Sequence, residues 1–510
     1  MNIKKLKIKN FRGYKDEVEI EFGNLTAFVG KNDIGKSTIL EALDIFFNEG
    51  KGVIKLDKDD INKQALAEND NEIVISVCFE DLPPRIVIDS TNETTLQAEY
   101  LLNSNGQLEI IKKYPNAGKE KVFVNANHPT NENCSDLLLK KQKDLQKIIK
   151  DNTVTCENQG INATMRTAIW NNYASDLNLQ EIEIDVTKED AKAIWEKLQN
   201  YLPLYSLFQS DRKNSDGDSE VQDPLKEAVK QILSDQALKD KFNEIATEVK
   251  TKLQDVSNRT LEKLRDMNPE IANSLSPVIP ETESLKWADV FKTVSISGDE
   301  NIPINKRGSG VKRLILLNFF RAEAECRRTE QGVPSIIYAI EEPETSQHAE
   351  HQKKLITAFL ELANSAQTQV IITTHSAALV KELKFEHLRL ISADAATKKV
   401  ESVEPNQLPY PSLNEVNFLA FTEVTEEYHN ELYSFIETKE YLNDYKKGKS
   451  TIQYNKTKKD GSNTTDQIIL TEYIRHQIHH PENTQNIRYT FEQLKESIEL
   501  MRIFIQSLNC

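Results

Sequence analysis

Long apolar runs are absent from this sequence: no stretch approaches the roughly 18 uninterrupted apolar residues that would span a bilayer. The opening "MNIKKLKIKNF" also lacks the apolar core of a signal peptide. A cytoplasmic protein with no membrane partner is therefore expected. Cysteine is scarce, five in 510 residues (Cys78, Cys134, Cys156, Cys326 and Cys510), and no two form a C-x-x-C pair. That spacing argues against a disulfide framework and a thiolate zinc site alike. Basic residues are outnumbered, 64 Lys and Arg against 80 Asp and Glu, for a net charge of −16. A chain that coats nucleic acid through a uniformly basic surface is thereby excluded, since counterion release needs positive charge, but a local basic patch is not.

What is present reads as ordinary folded protein of several domains, 38% hydrophobic and 28% charged. "NIKKLKIKNF", "VEIEF", "LTAFVG" and "EIVISVCFED" have the spacing of strands, and "AEYLLNSNGQLEIIKKY" is expected to be a hairpin turning at Asn105 and Gly106. From about Lys140 to Met267 the pattern is mainly helical, with Leu238, Phe242, Ile245, Val249, Leu253 and Val256 at helical spacing. Strand and helix alternation returns near Val290, in "PSIIYAIEEPE" and "TQVIITTHS". The expected organisation is an α/β head split between residues 1–80 and 290–395, a hairpin and helical insertion over 81–289, and a helical domain over 396–510. Within the last lies "YKKGKSTIQYNKTKKDGSN", basic, expected to be an exposed loop whose Tyr445 and Tyr454 could stack on RNA bases.

"GKNDIGKST" carries the most specific chemistry. It fits G-x-x-x-x-G-K-[ST] and lies between an apolar strand and a helix. Gly30, Asn32 and Gly35 let backbone amides wrap phosphates at the helix start, Lys36 neutralises the β- and γ-phosphates, and Thr38 follows in the first turn. The Ser37 hydroxyl suits Mg²⁺, so ATP and Mg²⁺ are the expected ligands. "SIIYAIEEPE" ends a strand in two carboxylates, Glu341 to hold the metal and Glu342 to orient the attacking water. A second strand then ends at His375, positioned to touch the γ-phosphate.

This order, with "KRGSGVKRL" ahead of the Glu-Glu strand, resembles the ABC-type ATPase heads of the RecF, SMC and OLD families over roughly residues 1–80 and 290–395. The resemblance implies a mixed sheet with an antiparallel β lobe and a homodimer, or higher oligomer, joined through the heads. In it Ser309 and Gly310 cap the γ-phosphate held by the opposite subunit, and Arg12 of "NFRGY" lies near the nucleotide. Two features depart from the pattern: Glu341 stands where these heads usually have Asp, and the signature loop is degenerate. Gln209, at a strand end with Arg212 close behind, reads equally as a site pair or as a surface loop.

Many heads of this branch serve bacterial anti-phage defence, so a nuclease output is expected. No D-x-D follows His375, which argues against the metal-dependent Toprim nuclease of OLD proteins. Arg475 and His480 instead have the R-x4-H spacing of the HEPN ribonucleases joined to such heads in PrrC and RloC anticodon nucleases, with Pro481 next. That pair could cleave RNA without metal, histidine moving the proton and arginine neutralising the phosphorane. Against it stand a purely structural helix and a two-ligand zinc site at His476 and His480. If the helix is structural, the chain resembles the PtuA subunit of Septu and retron systems, which holds a separate HNH nuclease in check.

Overall fold

The structure, a computed structural model, describes residues 1–48, 52–88, 93–188, 191–209, 235–267, 335–345, 349–394, 397–457 and 462–508. The chain forms two units, Met1–Ser210 with Glu323–Cys510, and Asp211–Ala322. In the second the described part is one helix, Gln236–Met267, which carries the apolar spacing read from Leu238 onward.

The first unit is built on two six-stranded sheets. One is antiparallel, in the order β2-β1-β4-β5-β6-β7, from Val18–Glu21, Asn2–Lys9, Glu72–Glu80, Leu108–Pro115, Lys121–Pro129 and Leu179–Asp185. The other runs β12-β11-β3-β10-β9-β8, from Thr397–Ser402, Leu388–Asp394, Leu25–Val29, Thr368–Thr374, Ile336–Glu341 and Leu204–Phe208. All its pairs are parallel except the edge pair β11 and β12. Every residue of β3, β9 and β10 is buried, as expected of parallel strands covered on both faces. Gln369 ties the sheets together: its buried amide accepts from the Ile3 N–H and donates to the carbonyls of Ile3 and Gly23, each at 2.9 Å.

The mixed α/β architecture matches expectation, but the boundary at residue 80 does not coincide with a structural break. β5, β6 and β7 extend the sheet that β1 begins, and β8 joins the parallel sheet. The expected hairpin is also displaced. Gly106 does turn, with φ +73°, but β5 pairs with β4 and with β6, across a turn at Asn116–Gly118. The arm before Gly106 is held in turns by Glu99, which is buried and ion-paired to Arg166 at 2.7 Å.

After β12 the chain forms helices Leu413–Phe421, Glu426–Thr438, Leu442–Lys446, Leu470–His479 and Phe491–Leu508 around their own core. Thr490 and Gln493 make a capping box: the Gln493 N–H donates to the Thr490 hydroxyl at 3.2 Å, and the Thr490 N–H to the Gln493 side-chain oxygen at 2.9 Å. The stripe that follows packs inside this module, Leu494, Ile498, Met501 and Ile505 being buried while Phe491 and Leu508 at its ends are exposed. The basic stretch expected as a loop is instead a β-hairpin, β13 (Thr451–Thr457) on β14 (Asn463–Ile469). Tyr445 and Tyr454 are buried beneath it, at 1% and 4% exposure, so neither offers a face for stacking RNA bases. Inward-facing aromatics won over the lysines that make the stretch look solvated.

Candidate functional site

The site begins where β3 stops. Gly30 and Gly35 both have positive φ, +156° and +111°, which frees the loop between them to curl over the first turn of the helix Lys36–Asn48. That helix starts without a glycine or proline and buries Ile39, Leu40, Leu43 and Phe46 against the sheets. Its other face leaves Ser37 exposed and Thr38 half-buried, beside the exposed Asn32. The Lys36 ammonium is buried and donates to the carbonyls of Gly30 at 2.8 Å and Lys31 at 2.9 Å. Burial lowers its pKa below the usual lysine value, opposed by the fields of Glu342, Glu344 and Asp33.

Glu342 and Glu344 follow directly on β9, while Asp33 belongs to the loop itself. β10 lies between β3 and β9, pairing Thr374 with Val29 and Thr373 with Glu341. Glu341 is therefore buried at the strand end. Glu342 leaves the sheet in the left-handed region, φ +40°, with its N–H still donating to the Thr373 carbonyl at 3.0 Å. A non-glycine residue in that region is strained, and such strain gathers at functional sites. The turn aims the Glu342 carboxylate at His375, whose Nδ1 is 3.2 Å away.

Glu344 was not singled out from sequence, although it ends the quoted "EEPE". Its buried carboxylate accepts from the Thr374 hydroxyl at 2.7 Å and the His375 N–H at 3.0 Å, and lies 3.4 Å from His375 Nδ1. Its second oxygen, Oε2, is buried without a hydrogen-bond partner. Lys36, Glu341, Glu342, Glu344 and His375 thus share one end of the parallel sheet. The unpartnered Glu344 oxygen is an acceptor available to a ligand, although among the described residues no three His, Cys, Asp or Glu side chains are grouped to hold a metal ion by themselves.

Arg12 reaches the helix that follows the loop. Its backbone is left-handed, φ +48°, and its guanidinium pairs with Asp60 at 2.7 Å and with Glu41. Glu41 also accepts from Gln209 Nε2 at 3.0 Å, so Glu41 joins the two residues read as site candidates. Ser309, Gly310 and Arg212 lie outside the described residues.

Arg475 and His480 have different partners. The helix ends at His479, and five residues correspond to a rotation of about 140°. The Arg475 guanidinium lies 4.3 Å from the Tyr433 ring centroid and 3.4 Å from Glu437, both on the helix Glu426–Thr438. His480 is exposed, 3.2 Å from Glu482, and stands beside His476, whose ring stacks on Tyr454 at 5.1 Å. Among the described residues no hydrogen bond or ion pair links Arg475 to His480.

Residues 1–380 match the family model described as an AAA ATPase domain. An OLD nuclease of Thermus scotoductus is 24% identical over 416 residues, 78% of this chain. The matched region spans 64% of that relative's own length. Among solved structures, an SMC head bound to the C-terminal winged-helix domain of ScpA is similar with a TM-score of 0.37 at 16% identity, covering 79% of this chain and 98% of that one. The SMC head domain from Thermotoga maritima has a TM-score of 0.32 at 14% identity, covering 79% and 100%.

Proposed function

The chain belongs to the AAA ATPase domain family, and from that membership we propose that it binds ATP at Gly30–Thr38 and hydrolyses it with Glu342 and His375. The observation that carries this reading is the meeting of Glu342 and Glu344 on His375 at the ends of β9 and β10, next to the β3 end that leads into Lys36. The loop amides and Lys36 bind the phosphates. Mg²⁺ held by the Ser37 hydroxyl and Glu341 would supply charge neutralisation at the phosphate oxygens. Glu342 takes the proton of the attacking water, and His375, oriented by Glu342 and Glu344, holds the γ-phosphate.

The proposed output is control of a nuclease in bacterial anti-phage defence. Support for coupling comes from the segment just after His375. The helix Ala377–Val380 begins two residues later, and the C-terminal module grips it: Asn417 donates to the Ala377 carbonyl at 3.1 Å, and Glu427 pairs with Lys381 at 2.6 Å. Movement of His375 on hydrolysis would therefore reach the module directly. Separation of Arg475 from His480, and burial of Tyr445 and Tyr454, favour a module that docks a separate HNH-type nuclease. RNA cleavage in this chain would need the two residues to come from different copies of a homodimer.

The test is to purify wild-type, Lys36→Met and Glu342→Gln chains and measure ATP binding and hydrolysis. Wild-type binding by Lys36→Met would remove the basis of the reading. For the output, wild type and His480→Ala are incubated with tRNA and ATP. Cleavage by wild type that is lost in His480→Ala establishes the RNase reading over the docking one.

A further inference from the structure

We infer that Lys398, carried by β12, is a second phosphate-binding cation of the nucleotide site; this rests on the proposal that the Gly30–Thr38 loop binds ATP. The β11–β12 hairpin follows that loop from its first glycine to its second. A side-chain carbon at Gly30 would come within 2.9 Å of the Ile391 carbonyl, and one at Gly35 within 2.9 Å of Lys398 Nζ. Gly13 meets the same lysine, so its chain runs through a cradle that a Cβ at either glycine would fill. Below it lies Tyr14, its ring centroid 5.3 Å from Nζ and its hydroxyl donating to the Gly35 carbonyl at 3.1 Å.

Among the described residues no carboxylate balances this ammonium. Among the described residues Lys398 has neither an ion pair nor a hydrogen bond, and burial lowers its pKa with no acidic neighbour opposing the shift. Its register partner on β11 is Ala393, which offers nothing. A half-buried ammonium without a counter-anion is unfavourable, and the Tyr14 ring offsets that only in part. The anion for which the adjoining loop is shaped is a polyphosphate. Lys36 gives two of its three donors to the carbonyls of Gly30 and Lys31, so a second cation beside Gly35 adds to the charge that the loop lysine supplies.

The experiment titrates full-length wild type, Lys398→Met, Lys398→Arg and Lys36→Met with a fluorescent ATP analogue and Mg²⁺. Lys398→Met keeps the aliphatic packing on Tyr14 and should weaken binding about tenfold, as the loss of one charge-assisted contact does. Lys398→Arg should stay within about threefold of wild type, a rescue that packing alone would not produce. Thermal unfolding without nucleotide should leave Lys398→Met at least as stable as wild type. In the unmutated chain, ATP should lower the amine-reactive labelling of Lys398 severalfold. Wild-type affinity in Lys398→Met, or labelling unaffected by ATP while Lys36→Met fails to bind, overturns the role of Lys398 alone. Wild-type affinity in Lys36→Met overturns the nucleotide site and this assignment with it.

Discussion

The backbone N–H of His375 donates to the buried carboxylate of Glu344 at 3.0 Å, and the same carboxylate lies 3.4 Å from the ring Nδ1. One side chain thus holds both the main chain and the imidazole of a histidine 31 residues away. Glu344→Ala would leave the Thr374 hydroxyl and the His375 amide without their acceptor, at a cost of roughly 1–3 kcal/mol. Chemical denaturation should record that loss, and ATP hydrolysis should fall with it. Unchanged stability would show that Glu344 does not tie the two strand ends together.

Glu342 meets the same Nδ1 at 3.2 Å, and its carboxylate is half-buried where that of Glu344 is buried, so water can reach it. Glu342→Gln keeps the shape and the left-handed backbone but removes the base. Hydrolysis should drop by roughly 10² to 10⁴ while ATP affinity is retained. Steady-state phosphate release beside a binding titration separates the two; near-normal turnover would exclude Glu342 as the base.

The C-terminal core contains a histidine that must stay neutral. His429 Nε2 lies 3.0 Å from the Ser497 hydroxyl, which donates to Thr471, and burial, aided by the Arg475 charge, pushes its pKa down to about 3. A histidine depressed in the folded state leaves stability intact above the unfolded pKa of 6.5. Stability is then lost as pH falls from 6.5 towards 3, because the unfolded chain takes the proton first. Between pH 7 and pH 5 this loss amounts to about 2 kcal/mol. Hydrogen exchange in the helix Phe491–Leu508 should accelerate over that interval, and His429→Gln should flatten the dependence; a profile equally steep in the variant would assign it to other groups.

Arg475 and His480 should separate in stability assays. Arg475→Ala loses the contact with Tyr433 and should destabilise the module by about 1 kcal/mol. His480 is exposed beyond the helix end, so His480→Ala should remain within about 0.5 kcal/mol of wild type. Urea unfolding of the two variants checks this. Equal destabilisation would mean that the residues work as a structural unit.

The phosphate loop was legible because its signal is local. Six residues bounded by glycines, an apolar strand before them and a glycine-free helix after them specify the backbone path without reference to the rest of the chain. The strands around it were legible for the same reason: β1 and β4 start where the stretches read as strands start and stop one or two residues before they end. The basic stretch near residue 450 misled because its two tyrosines are buried, Tyr445 on the helix Leu442–Lys446 and Tyr454 on β13, among lysines that read as solvated. For Arg475 and His480 the R-x4-H spacing along a helix says nothing about what each residue packs against.

Residue order alone specified where phosphate could bind and which strand ends carry carboxylates, since turn geometry and strand burial are written within a few neighbouring positions. Tertiary structure decided which of those ends meet. Only the placement of β10 between β3 and β9 brings Glu342, Glu344 and His375 to Lys36, and only the β11–β12 hairpin lays Lys398 along the loop. These contacts join residues more than 300 positions apart. They follow from the strand order of the parallel sheet, a property of the whole unit that no short stretch contains.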